Sequence, residues 1–303
     1  MFKITVDHIF YSFSAQNDPA LYVDAPSEVI FETLDCFGNK LCSPEDKMGD
    51  IPIELMNPAT GPVYVNGAEP GDALRVTIEE ITLAPQGVVC CENGEGPLGA
   101  RIEGSHTRVV SVSDGLVHYM TADDRTIDIP ARPMIGVIGV APADGLSINT
   151  ETPGAHGSNM DNTMVSEGAV LYLPVSVPGA LLGMGDLHAV MGDGEVGITG
   201  LEISGTVRVK LDVIKGKAPA YPILETAESI SVIASGPTLD DACQTATELM
   251  QEFLSDRTDL AVPDIVMLMG LVGDLQICQI VDPQMTVRFV FSKQYIPELT
   301  FGR

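Results

Sequence analysis

The sequence predicts a mainly β protein: a β-rich, sandwich- or barrel-like body with a smaller α+β C-terminal portion. Three observations predict it. Up to about residue 215, apolar residues come in short alternating runs broken by Gly, Pro and Asn. A sustained stripe at helical spacing appears only beyond residue 238. Apolar residues make up 45% of the 303-residue chain while Trp is absent, so a sizeable core must be filled by small and branched aliphatics. The expected division is a body over 1–215 that carries the active site and a C-terminal portion over 216–303.

The elements follow in order. Ile4–Val6 and Phe10–Phe13 read as short strands, Pro26-Ser27 as a turn and Val29–Phe37 as a longer strand. In that strand Glu32 and Asp35 face opposite ways, so both reach one site only if it bends or ends there. Residues 38–62 are loop-rich. Val63–Val65 and the alternating Ala73–Leu83 are strands joined by the turn NGAEPGD. Residues 86–107, rich in Gly, have the composition of a mobile loop beside a site. Arg108–Val112, Leu116–Met120, Thr126–Ile129, Gly136–Val140, Gly205–Val213 and Ser229–Ser235 continue the strands. Thr238 and Asp241 form a capping box opening a helix whose stripe is Leu239, Ala242, Ala246, Leu249, Met250 and Phe253. Pro263 opens a shorter helix, Asp264–Leu271. Residues 275–281 and 285–292 close the chain as an adjacent strand pair.

The formal charge of −26 repels nucleic acid and anionic lipid, so neither is an expected partner. The six cysteines show no CxxC pair and no scaffold spacing, which points to reduced thiols in the cytoplasm. No stretch has the form of a signal peptide, and the longest apolar run, Ile265–Gly273, is far short of a membrane span.

Chemistry concentrates in Gly154–Glu202. Two of the five histidines, His156 and His188, lie there with Asp161, Asp186, Asp193, Glu195 and Glu202. Dense glycine lets this backbone fold tightly, and the stretch has no Lys or Arg, so hard oxygens and imidazoles gather without a competing cation. That composition suits a divalent metal. Asp186 and His188, two apart, share a face if they lie on a strand. Asp193 and Glu195 repeat the spacing around Gly194. His106 follows the glycine-rich 86–107 run, where it could line an entrance, while His118 falls in a strand pattern. No G-x-S-x-G elbow, G-x-G-x-x-G or P-loop occurs. Cys36, Cys90 and Cys91 are available thiols, but acidic surroundings raise a thiol pKa and oppose nucleophilicity. An acidic pocket suits metal-activated water instead.

At these residues the chain resembles the acetamidase/formamidase family. The matching pieces are FETLDCFGN at 31–39, NPATGPVYVNGAEPGD at 57–72, PGAHGSNMDN at 153–162, LYLPVSVPGALLGMGDLHAVMGDGE at 171–195 and GDLQICQIVDP at 273–283. The resemblance implies hydrolysis of a small linear amide to carboxylate and ammonia, on a β-rich fold that is often dimeric. It places the family's acidic and histidine positions at Glu32, Asp35, His156, Asn159, Asp161, Asp186, His188, Asp193, Glu195 and Glu202. The expected ligand set is His188 and Asp186 with one or more of Glu32, Asp35, Asp161 and His156, holding Zn²⁺ first and Ca²⁺ second. Glu195 is the expected general base, with Asp193 and Asn159 in supporting catalytic roles. Ser158 stands where the family pattern tends to have glycine, and its hydroxymethyl could narrow the pocket. Two other readings are a non-catalytic protein with structural Ca²⁺ and a hydrolase of the same kind acting on a different amide.

Overall fold

A computed structural model describes residues 1–302. Two large sheets carry the fold. The nine-stranded sheet runs Phe2–Ile4, Ser27–Thr33, Gly205–Ile214, Ala73–Leu83, Val170–Pro174, Ile223–Glu225, Ser229–Gly236, Met285–Ser292 and, at its edge, Gly273–Gln279. The eleven-stranded sheet contains Gln86–Glu92, Ser105–Ser113, Met134–Gly139, Leu182–His188 and Glu202–Ile203, with Ala59–Asn66 branching from it. One aliphatic core draws Val29, Phe31, Val76 and Val209 from the first sheet and Val63, Ile135, Leu182 and Leu187 from the second. Alternation explains the layer: in Ser27–Thr33, Val29, Phe31 and Thr33 are buried while the residues between them are not.

The C-terminal portion shares a sheet with the body, because Ile223–Glu225 pairs with Val170–Pro174 across residue 215. Its helices are α1 (Leu239–Ser255) and α2 (Val262–Val272). α1 begins where the capping box expects: the Asp241 N–H donates to Thr238 Oγ1 at 3.2 Å. Ala242, Ala246, Met250 and Phe253 of its stripe are buried against Val287, Phe289 and Phe291 of the sheet, while Leu239 and Leu249 are only partly covered. Pro263 sits in the first turn of α2, which runs one or two residues beyond the expected span at each end. The final strands pair antiparallel, as the sequence suggests.

Three expectations are corrected. Residues 86–107 are not one mobile loop. Gln86–Glu92 pairs with Ser105–Ser113 from Gln86↔Ser111 to Glu92↔Ser105, leaving only 93–104 as a connection. Gly87 is there for close packing: a Cβ would lie 2.4 Å from the Glu202 carbonyl oxygen. The strand expected at Val29–Phe37 stops at Thr33, because Asp35 turns the chain by accepting the N–H groups of Phe37 and Asn39. The central glycine-rich stretch also holds full strands, Val170–Pro174 and Leu182–His188, that its composition concealed.

Candidate active site

Leu182–His188 is the backbone of the site. It lies between Met134–Gly139 and Glu202–Ile203, and its register sets His188 opposite Glu202. Asp186 interrupts the strand with φ of +56°, and Asp161 and Glu195 adopt φ of +42° and +47°. Such backbone is sparsely populated by residues other than glycine and clusters at functional sites. Here it turns three carboxylates toward one point. Asp161 follows the strand Gly157–Asn159, and Glu195 comes from a turn closed by its N–H on the Gly192 carbonyl.

The His188 imidazole is the centre. Its Nε2 lies 3.1 Å from Glu202 Oε1, 3.3 Å from Asp186 Oδ1, 3.8 Å from Asp161 Oδ1 and 3.9 Å from Glu195 Oε1. All five residues are buried, with none above 6% exposed. Gly136 forms the floor: a Cβ there would stand 2.3 Å from Asp186 Oδ2 and 2.6 Å from Asp161 Oδ1. Asp282, from the turn joining the last two strands, completes the ring. Gln279 holds that turn by accepting the Val281 and Asp282 N–H groups, and Asn159 Nδ2 donates to Asp282 Oδ2 at 3.0 Å.

So many acids in one dry place disfavour their own ionisation. Burial, helped by Asp186, pushes Asp161 up to about 7, and burial pushes Glu202 up to about 8. Burial and the neighbouring acids raise Glu195 and Asp282 as well. Burial also acts to raise Asp186, but the His188 charge beside it brings it down. For His188 itself, burial favours the neutral ring, yet Glu202 and Asp186 hold it well above the ordinary imidazole value.

These groups fit a divalent cation. Both Asp161 carboxylate oxygens, Asp186 Oδ1 and Glu202 Oε2 are buried without a hydrogen-bond partner, a costly state that a bound cation relieves. Ligand atoms of Asp161, Asp186 and His188 lie within 4.8 Å of one another, as do those of His188, Glu195 and Glu202. Cys36 forms a third such group with Asp186 and Glu202.

The cluster opens into a cavity of about 460 Å³ lined by Asp186, His188, Glu195, Glu202, Asn159 and Asp282 on its inner side. Of the expected site residues, Asp161, Asp186, His188, Glu195 and Asn159 come together. Asp35 is buried nearby; burial lifts it to about 6, but its carboxylate is engaged by the turn. Three others do not join. Glu32 points outward from its strand to Lys3. His156 packs edge-on against Phe13 and takes no part in any metal-competent group; burial drops it to about 4. Asp193 turns away to Arg288 and Thr163.

Ser158 is fully buried with its hydroxyl on the Thr150 carbonyl, so it does not narrow the cavity. His106 bonds the Glu103 carbonyl outside it. Asp282 was missed: its only signal is its place in the GDLQICQIVDP segment, and nothing local marks it as chemical. Glu202 was named without a role, and its register opposite His188 assigns one.

The sequence profile of the Acetamidase/Formamidase family matches residues 13–152 and 147–235. A crystal structure of a predicted acetamidase/formamidase from Thermoanaerobacter tengcongensis is 44% identical, covers 98% of this chain and 97% of that one, and superposes with a TM-score of 0.93. The acetamidase of Bacillus halodurans is 40% identical, covers 98% and 99%, and gives 0.94. A putative formamidase of Schizosaccharomyces pombe is 27% identical over 66% of this chain, which spans 64% of that relative's length. Profile and solved structures agree: the chain belongs to the acetamidase/formamidase family.

Proposed function

We propose that this chain is an amidohydrolase that cleaves the C–N bond of a linear amide, releasing carboxylate and ammonia, with a divalent metal in the His188 cluster. The observation that carries the reading is the ring of buried, unpartnered carboxylate oxygens around one imidazole at the base of an open cavity. Relatives named acetamidase and formamidase support the reaction class. His188, Asp186 and Asp161 would hold the metal, with Glu202 beside them. A nitrogen at the centre of an oxygen-rich set favours Zn²⁺ over Ca²⁺, which has little use for imidazole.

A cation bound there would polarise the amide carbonyl and lower the pKa of a water. The remaining work belongs to side chains. Glu195 lines the cavity with its Oε1 fixed by the Gly200 N–H at 3.0 Å, so its carboxylate is oriented. Its raised pKa suits it to take a proton from water and return it to the leaving nitrogen, which departs poorly unless protonated. Asn159 commits one amide hydrogen to Asp282 and has the other to offer the carbonyl oxygen of the substrate.

Metal analysis of the purified protein is expected to show near-stoichiometric metal, and His188→Ala to lose both metal and ammonia release. A metal-free preparation with full activity would overturn the metal assignment.

We place the protein in the cytoplasm, supported by six free cysteines. We also read it as a homodimer. α2 exposes Val262, Val266, Met267 and Leu271, the last at 80%, beside Leu275 and Ile277 on the edge strand. Leu275 and Ile277 pair with Phe289 and Val287, so they share the face that the helices cover farther in. A second copy supplies the missing cover.

A further inference from the structure

The His188 cluster makes only part of its cavity's lining, and the rest is built differently. About 460 Å³ lies in the range of ~300–1,000 Å³ that accommodates drug-sized ligands, so formamide or acetamide would fill only a corner. One wall is a separate apolar cluster in which Phe37, Met48 and Ile51 are buried and Met56 and Ile198 pack against them. This wall is held in place: Glu92 accepts from the Gly49 N–H at 3.1 Å and the Ser105 hydroxyl at 3.0 Å, tying the turn Met48–Asp50 to the 86–113 hairpin. A fixed apolar wall has no use in recognising an amide of one or two carbons.

The lining away from His188 also carries a distinct charge. Glu95 and Glu151 line the cavity with Glu92, and no Lys or Arg lines it anywhere. Glu92 is committed to Gly49 and Ser105. Glu95 is exposed on the 93–104 connection, and Glu151 is half-buried with burial the only influence on its carboxyl. Two uncommitted carboxylates in the lining, one exposed and one half-buried, on a chain of net charge −26, attract a cation and repel an anion.

Resting on the amide-hydrolase reading, we propose that the preferred substrate is an extended amide whose apolar acyl arm ends in a positive charge, the class of ω-aminoacyl amides. The amide carbon sits at the His188 cluster, the methylenes lie along Met48, Ile51 and Ile198, and the ammonium meets Glu95 and Glu151. Each methylene buried on that wall is worth about fourfold in kcat/KM. Two partly solvated charge pairs are worth about tenfold together.

The test measures ammonia release by the zinc-loaded protein from acetamide, hexanamide, 6-aminohexanamide and the anionic monoamide of adipic acid. Hexanamide is expected to exceed acetamide in kcat/KM by at least about tenfold. The aminoamide should exceed hexanamide by about tenfold at low salt, with that margin shrinking as salt rises, and the anion should be poorest. Glu95→Gln combined with Glu151→Gln should bring the aminoamide-to-hexanamide ratio near unity, with circular dichroism verifying the fold. Acetamide matching hexanamide, or the anion matching the amine, overturns the proposal. Titration calorimetry of the same four compounds separates the two readings. If none is hydrolysed but affinities keep the stated order, the substrate class stands and hydrolysis falls. If none binds, both fall.

Discussion

At the scale of single residues, Glu195 and Arg288 separate chemistry from support. Glu195→Gln keeps the Gly200 hydrogen bond but removes the proposed proton acceptor. Turnover should fall about 10²–10⁴-fold while bound metal, read by elemental analysis, stays near the wild-type level. Arg288 is buried and never touches the cavity lining, yet its guanidinium donates to Asn162 Oδ1 at 3.0 Å and to Asp193 Oδ1 at 3.1 Å. It therefore steadies the segments that carry Asp161 and Glu195 at once. Arg288→Met should destabilise the fold by about 2–3 kcal/mol in urea, less than a fully buried pair because the Asp193 side chain is 42% exposed. The same residues mark what a sequence reader can see. Asp186 and His188 were legible as a pair from their spacing, but it is the left-handed backbone at Asp186, which no spacing shows, that turns its carboxylate to the imidazole. Asp193 and Glu195 show the same spacing, but the former finds Arg288, 95 positions away, and no local pattern reveals that partner. His156 looked like a ligand by type, whereas its ring, in a turn, packs against Phe13 of the strand Ser12–Ser14.

At the scale of elements, glycine placement and helix capping carry the testable content. Gly136→Ala would force a methyl between Asp161 and Asp186, so metal content should drop sharply even where the protein still folds, as judged by its circular dichroism spectrum. Thr238→Ala removes the acceptor for the Asp241 N–H at the start of α1 and should cost about 1 kcal/mol in denaturant unfolding. The start and buried stripe of helix α1 were readable, since cap, period and apolar stripe are all local signals. Leu182–His188 was harder. Buried on both sides, it does not alternate, and its three glycine-tolerant or left-handed positions look like turn chemistry when read alone. The 86–107 region failed for the same reason: Gly87 marks close sheet contact, not freedom.

At the scale of the whole molecule, the α2 and edge-strand surface should decide assembly. Val262, Val266, Met267 and Leu271 of α2 and Leu275 and Ile277 of the edge strand are all large exposed hydrophobic residues, and a contiguous apolar surface of that kind marks an interaction site. Met267→Glu with Leu271→Glu is expected to halve the mass seen in sedimentation; an unchanged mass would place the interface elsewhere. The C-terminal layer also sets an acid limit. Burial acts to raise Glu225, but Lys293 Nζ at 2.8 Å, the Phe301 N–H and the Tyr172 hydroxyl outweigh it and lower it below its ordinary 4.5. A carboxylate lowered by folding contributes stability above its unfolded value, and that contribution is lost as pH falls through the lowered one. Glu225→Gln should therefore be less stable than the parent near neutrality and show a flatter acid limb below about pH 4.5, read by thermal melts.

Asp282 meets Asn159 across 123 positions of sequence, from a hairpin that belongs to the last strands of the chain. The arrangement of the site thus depends on how that final hairpin is seated against the rest of the fold. Mild heating that loosens the final hairpin, while leaving the aliphatic sandwich intact, would silence the enzyme early. Lost turnover would then run ahead of the far-ultraviolet signal, so that an assay for ammonia doubles as a thermometer for the docking of the carboxyl-terminal layer.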